Sequence, residues 1–232
     1  MRKKFPFNKL KLLEQKYSKY WWSPEEEEVY KKAVSNPFTN IVFTILSQNT
    51  SSKNTMRAYI SLSKRIKITP ENLSKLKEEN VAEAIKPGGL HRIKAKRLIN
   101  LAKTIIKEWK GDMSWVYRTP KNELRKYLVE INGIGDKTAD VLLSSIYGKR
   151  EAFVVDTHMR RIAIRLGLVT KNAKYGEIQD ALTRFLPWKG MDNEERLAGL
   201  FWMLARNTCT ARNPKCYECI LSEICEYPHK NT

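Results

Sequence analysis

The sequence predicts an all-α fold of ten or so short helices. Three observations carry this. Apolar residues recur at helical spacing, as at Ile41, Ile45 and Leu46. A capping residue followed by proline marks one helix start after another: Ser23-Pro24, Asn36-Pro37, Thr69-Pro70 and Thr119-Pro120. No stretch alternates apolar and polar residues for long enough to make a strand.

The elements follow in order. Ser23 precedes Pro24 and four glutamates, which suit the positive end of a helix dipole. Asn36-Pro37 restarts the chain into a helix over Phe38 to Ser47, buried on one face. Ser51 to Ile66 forms another, with Met56, Tyr59, Ile60 and Leu62 apolar. Thr69-Pro70-Glu71-Asn72 opens a further one. Pro87-Gly88-Gly89 breaks the chain before a basic helix over His91 to Trp109, and Thr119-Pro120 opens the next. A helix ends near Ile131, two glycines follow, and a new helix presents Ala139, Leu142, Leu143 and Ile146 on its apolar face. Asp156-Thr157 caps one more. There are no repeats, low-complexity tracts or long linkers.

The 232 residues suffice for one large domain or two small ones. Lys plus Arg is 43 against 25 Asp plus Glu, a net +18. Such a balance points to a polyanion, with a solvated lysine-rich surface as the plainer explanation. The basic segments Arg92 to Arg97 and Arg160 to Arg165 are candidates to meet it. The longest apolar stretch, Ile41 to Leu46, is far shorter than the ~18–20 residues of a membrane span. The basic N-terminus has no apolar run behind it, so no secretory signal is read and an intracellular protein is expected.

All four cysteines lie between Cys209 and Cys225, spaced Cys209-x6-Cys216-x2-Cys219-x5-Cys225. A disulfide framework would spread its cysteines to staple distant segments. Four thiolates this close can hold a [4Fe–4S] cluster or a tetrahedral zinc, although zinc ribbons generally show two Cys-x2-Cys knuckles and this chain has one. Arg212 and Lys215, either side of an Asn213-Pro214 turn, can present positive charge to phosphates.

The segment Gly133-Ile134-Gly135-Asp136-Lys137-Thr138-Ala139-Asp140 joins two helices. Gly133 and Gly135 permit positive φ and a close approach of phosphate to the backbone, and the N–H groups opening the second helix are unpaired. That makes an anion seat. The alternative is an ordinary helix–turn–helix corner with a glycine cap.

This segment resembles the helix–hairpin–helix of base-excision DNA glycosylases, in the endonuclease III branch, which has a lysine at the position of Lys137. Nineteen residues on, Val154-Val155-Asp156-Thr157-His158 resembles the family segment whose aspartate is catalytic. The interval is one residue longer than the commonest pattern, and the extra residue is expected in the turn at Gly148-Lys149-Arg150. The cysteine spacing resembles the family's cluster loop in every interval, which implies a [4Fe–4S] cluster held by Cys209, Cys216, Cys219 and Cys225. Leu46-Ser47-Gln48-Asn49-Thr50 resembles the segment ending in a glutamine that fills the void left by an extruded base, a role the resemblance gives to Gln48. Gly89-Leu90-His91 resembles the segment whose leucine wedges into the opposite strand, here Leu90, with an extra Gly88 before it and His91 where tyrosine is common. His158 either lines the lesion pocket or satisfies a backbone carbonyl.

The resemblance implies a two-lobed fold: a six-helix barrel over 35–150 with the hairpin, and a cluster domain from 1–34 plus 151–232. It implies a DNA glycosylase and abasic-site lyase, with the Asp156 carboxylate stabilising positive charge on the sugar and the Lys137 amine attacking C1′. A lowered lysine pKa is expected from the helix end and burial against DNA. Oxidised pyrimidines such as thymine glycol in double-stranded DNA, or abasic sites, are the expected targets. The protein is expected to be a cytoplasmic, nucleoid-associated monomer. Three alternatives compete. Mismatch (uracil/thymine) glycosylases of the superfamily usually lack the lysine. Adenine glycosylases add a C-terminal domain, whereas this chain stops seven residues after Cys225. A non-catalytic helical DNA-binding protein would need no aspartate facing its hairpin.

Overall fold

The computed structural model describes residues 3–191 and 193–227. Met1 and Arg2 of the basic start, and the stretch after Tyr227, lie outside them. Among the described residues the secondary structure is helical throughout, as the capping and periodicity predict. The α-helices are α1 (Leu10–Tyr17), α2 (Pro24–Val34), α3 (Pro37–Ser47), α4 (Ser52–Arg65), α5 (Pro70–Ser74), α6 (Glu78–Ala84), α7 (His91–Trp109), α8 (Lys121–Glu130), α9 (Asp136–Tyr147), α10 (Thr157–Arg165), α11 (Tyr175–Phe185) and α12 (Glu194–Asn207).

The residues before each proline act as caps in three of the four cases. Ser23 and Glu26 form a reciprocal box at the head of α2. The Asn36 side chain accepts from the N–H groups of Phe38 and Thr39, and Thr69 from Asn72. Ser51, expected as the first residue of its helix, caps α4 instead by accepting from Asn54. Thr119 departs from the pattern. Its hydroxyl donates to the Trp115 carbonyl at 2.9 Å, and Pro120 stands at the head of α8 without a side-chain cap.

The chain forms two compact units, Trp22–Ile146 and a discontinuous one made of Met1–Trp21 with Tyr147–Thr232. The first division falls earlier than the boundary expected at 34/35. The reason is packing: α2 lies on α3 and α4, and Trp22, Tyr30 and Phe43 contact one another with centroid separations of 4.3 to 6.4 Å. At the heart of the continuous unit is α3, buried from Asn40 to Leu46 without a polar face. It has neighbours on every side, among them α2, α4 and α7. In the discontinuous unit, Phe5 meets Phe185 and Phe201 edge to face, in one core with Leu13, Leu200 and Leu204. Each such side chain, fully buried, contributes about 1.5–3 kcal/mol.

Candidate functional site

In the continuous unit, α8 and α9 are joined by the glycine turn. Ile131 ends α8, Gly133 takes φ +92, and Ile134, 4% exposed, anchors the turn in the core. The two glycines differ. Gly135 is not left-handed, and a Cβ added to it would meet no atom within 4 Å. The fold itself therefore makes no steric demand for glycine at 135, while backbone conformation demands it at 133. Arg125 ties the two helices together, donating to Asp136 at 2.8 Å and to the buried Asp140 at 3.1 Å. Lys137, in the first turn of α9, is exposed.

Two further segments of this unit meet at one buried lysine. Gln48 ends α3 and is half-buried, its Oε1 accepting from Arg97 at 2.7 Å. Leu90 is 49% exposed in a left-handed conformation at the head of α7, so it is not a core leucine. Beneath both lies Lys94, 1% exposed. Its Nζ donates to the Leu46 carbonyl at 2.8 Å and the Gly88 carbonyl at 2.9 Å, two residues before Gln48 and Leu90 respectively. Burial, with the nearby Arg97 charge, pushes the Lys94 amine below its ordinary range. Sequence reading passed over Lys94. Its signal was its place in the apolar stripe Lys94, Leu98, Leu101, Ile105, at helical spacing on α7.

In the discontinuous unit, the stretch leading to α10 is pinned to α11. The Phe153 carbonyl accepts from Gln179 at 2.7 Å, and the Val155 N–H donates to the Tyr175 hydroxyl at 3.2 Å. Before it, the turn expected to hold the extra residue is closed by Gly148 at φ +93, and the Arg150 N–H donates to Glu194 at 3.1 Å. Asp156 then caps α10. Its Oδ1 accepts from the N–H groups of His158 at 2.9 Å and Met159 at 2.8 Å. Its Oδ2 accepts the indole N–H of Trp202, on α12, at 2.7 Å. Asp156 thus makes a cap with one oxygen and keeps the second for another partner. His158 Nδ1 lies 2.9 Å from Arg161 Nη2. A guanidinium only donates, so Nδ1 is the acceptor.

The four cysteines line one cavity with Arg165, Thr208, Ser222 and Tyr227. Burial, then the charges of the other three cysteines, push the Cys219 thiol up to about 11. Four thiolates so placed need a cationic centre to coexist. Four thiols that surround one cavity suit a polynuclear cluster, in which the thiolates ligate different irons. The residues present therefore fit a [4Fe–4S] cluster. Arg165 braces the loop, donating to the carbonyls of Thr210 at 2.6 Å and Ala211 at 3.1 Å and to Cys209 Sγ at 3.3 Å. Arg161 donates to the carbonyls of Cys209 and Ala205, both at 2.7 Å. These two arginines of the basic segment 160–165 are thus engaged inside the protein. Arg212 and Lys215 are exposed on the loop between the first two cysteines, where Asn213 takes φ +47.

Residues 42–187 match the HhH-GPD superfamily base excision DNA repair proteins, and residues 209–225 match the iron–sulfur binding domain of endonuclease III. The endonuclease III of Sulfolobus acidocaldarius is 35% identical over 197 residues, covering 83% of this chain and 82% of that protein. The endonuclease III of Thermotoga maritima is 33% identical over 193 residues, covering 83% and 84%. A solved structure of a trapped endonuclease III–DNA covalent intermediate superposes with a TM-score of 0.65 at 25% identity, covering 86% of this chain and 92% of that one. A non-covalent endonuclease III–DNA complex superposes with a TM-score of 0.67 at 24% identity, covering 86% and 91%, a likeness of fold.

Proposed function

This chain belongs to the HhH-GPD superfamily of base excision DNA repair proteins and is a DNA glycosylase and abasic-site lyase carrying a [4Fe–4S] cluster, and we propose that it acts on oxidised pyrimidines in duplex DNA with Lys137 as nucleophile and Asp156 as charge stabiliser. The observation that carries the reading is the exposed Lys137 in the first turn of α9, behind a glycine pair of which one member, Gly135, answers to no steric need of the fold. A phosphate seated on the N–H groups at the start of α9 would bring a nucleotide alongside the Lys137 amine.

The chemistry follows from the groups. The target base lies inside the duplex and must be rotated out, leaving a void. Gln48, held by Arg97, would fill that void, and Leu90 would wedge the opposite strand. As the base leaves, positive charge develops on the sugar, and the Asp156 carboxylate stabilises it. The neutral Lys137 amine bonds to C1′ while the C1′–N bond breaks and the base departs with a proton. Opening of the sugar ring yields an imine. Loss of a C2′ proton then expels the 3′ phosphate by β-elimination, and water releases the amine. Cys209, Cys216, Cys219 and Cys225 would hold the cluster, whose irons would offset part of the thiolates' charge and order the loop bearing Arg212 and Lys215 against phosphates. His158 would line the lesion pocket. The protein would work as a monomer, inside the cell and at its chromosomal DNA.

Borohydride reduces an imine and so should fix the enzyme covalently to DNA carrying a substrate lesion. Lys137→Gln should abolish trapping and strand nicking while leaving the fold intact. Asp156→Asn should slow base removal by orders of magnitude yet keep lesion binding. Trapping that survives in Lys137→Gln would assign the nucleophile to another amine. A panel of lesion duplexes, scored separately for base loss and nicking, tests the substrate class. Activity confined to mismatched uracil or thymine would replace oxidised pyrimidines as the target.

A further inference from the structure

Asp156 is held by more than its cap. A carboxylate capping a helix through Oδ1 alone can still swing its second oxygen about the Cβ–Cγ bond. Here Oδ2 is fixed as well, by an indole N–H arriving from α12, 46 residues further along the chain, at 2.7 Å. Trp202 is itself braced. Its ring meets the His158 ring edge to face, with centroids 5.4 Å apart and planes at 73°. The Arg206 guanidinium lies 5.1 Å from its centroid. The helix beneath it is seated by Leu200, Phe201 and Leu204, all fully buried. His158 is bonded in turn to Arg161, which reaches the Ala205 carbonyl on α12 at 2.7 Å. The indole therefore sits in a frame that ties α12 to the head of α10.

We propose that Trp202 is the positioning residue of the glycosylase step: its indole N–H fixes the Oδ2 oxygen of Asp156 in the orientation that stabilises charge on the sugar. The inference rests on the reading of Asp156 given above. Electrostatic stabilisation works when the charged group is already aimed where charge develops, so that no reorganisation is needed as the bond breaks. An indole N–H suits this task, because it only donates and does not titrate near neutral pH. All three partners of the carboxylate are donors, two on Oδ1 and one on Oδ2. The bond from Trp202 uses one lone pair of Oδ2 and leaves the oxygen's other lone pair available. With donors on both oxygens, the carboxylate holds its negative charge in a fixed direction, which is what charge stabilisation by Asp156 requires.

The test uses the cluster-loaded protein and single-turnover base excision on a thymine-glycol duplex. Trp202→Phe removes the N–H and keeps an aromatic ring. Trp202→His restores a donor, since imidazole Nε2 can overlay the indole nitrogen. Trp202→Phe should slow base removal by about tenfold to a hundredfold, less than the ~10²–10³ that follows loss of a donor in direct contact with the reacting oxygen. Affinity for a duplex carrying a non-cleavable abasic analogue, the iron content and Tm should not change. Trp202→His should recover most of the rate. In an Asp156→Asn background, Trp202→Phe should cost nothing more, because the partner it positions is gone. A native rate in Trp202→Phe, no recovery in Trp202→His, or an undiminished further loss in the double variant would each overturn the proposal. Asp156→Asn alone separates the two readings. A native rate there removes the role of Asp156 itself and the proposal with it, whereas a slow Asp156→Asn beside a native-rate Trp202→Phe overturns only the role of Trp202.

Discussion

Lys94 shows how one side chain can serve two segments. A buried ammonium is costly unless its protons are bonded, and two of the three are, to the carbonyls of Leu46 and Gly88. Those carbonyls need the lysine as much as it needs them: Leu46 lies in the last turn of α3, and Gly88 lies in the sharp turn before Leu90. Lys94→Met keeps the apolar stem and strips the donor. It should lower stability by about 1–3 kcal/mol, the cost of a buried acceptor left unmade, read as a shift in the urea midpoint at constant m-value. A variant as stable as the native protein would mean that other donors replace the ammonium. Because both segments lean on the same nitrogen, the variant should also weaken opening of the duplex, visible as reduced fluorescence of 2-aminopurine placed opposite the lesion.

At the scale of elements, the hairpin and the cysteine loop each separate a need of the fold from a need of function. Gly133 is left-handed, so Gly133→Ala should destabilise by about 1 kcal/mol or more and lower Tm. Gly135→Ala adds a methyl where no protein atom stands within 4 Å. It should leave Tm unchanged and weaken duplex binding, because only a phosphate seated there would meet the new methyl. Equal losses of Tm in both variants would identify the pair as a plain corner. In the loop, Cys216→Ser should reduce iron content and visible absorbance and expose residues 209–225 to limited proteolysis. Its own regular structure is slight, two 3-10 turns of three residues each, and Arg161 and Arg165 hold the carbonyls of Cys209, Thr210 and Ala211 at its start.

For the whole molecule, the excess of 18 positive charges sets the response to salt. Each phosphate neutralised contributes about −0.9 to the slope of log K against log salt, so duplex binding with a slope of about −3 or steeper is expected. A flat response between low and physiological salt would exclude a phosphate-led interface. Not every basic residue counts toward that slope. Arg161 and Arg165 are committed to loop carbonyls, whereas Arg212 and Lys215 are exposed. Replacing the latter two by alanine should flatten the slope by about one to two and leave Tm alone. Arg165→Ala should do the reverse, loosening the loop with little direct change in slope.

What the sequence determined by itself was local. Ser23, Asn36, Ser51 and Thr69 act within three residues of themselves, so their caps and the helices they open could be read from neighbours alone. The four cysteines fall within one loop, and their intervals resemble those of the family's iron–sulfur binding domain, which residues 209–225 match. The glycine pair with Lys137 and the Asp156 cap are likewise short patterns, which is why their positions were legible although their partners were not. Only the tertiary structure decided those partners. Trp202 on Asp156, Lys94 under Leu46 and Arg161 on the Cys209 carbonyl join residues 46 to 48 apart. The place of α2 was decided in the same way, by Trp22 and Tyr30 against Phe43. Periodicity tells which face of a helix is buried but not which helix covers it, and a donor's identity does not name its acceptor. Those choices are made when the elements pack, by steric fit and by the requirement that buried polar groups find partners.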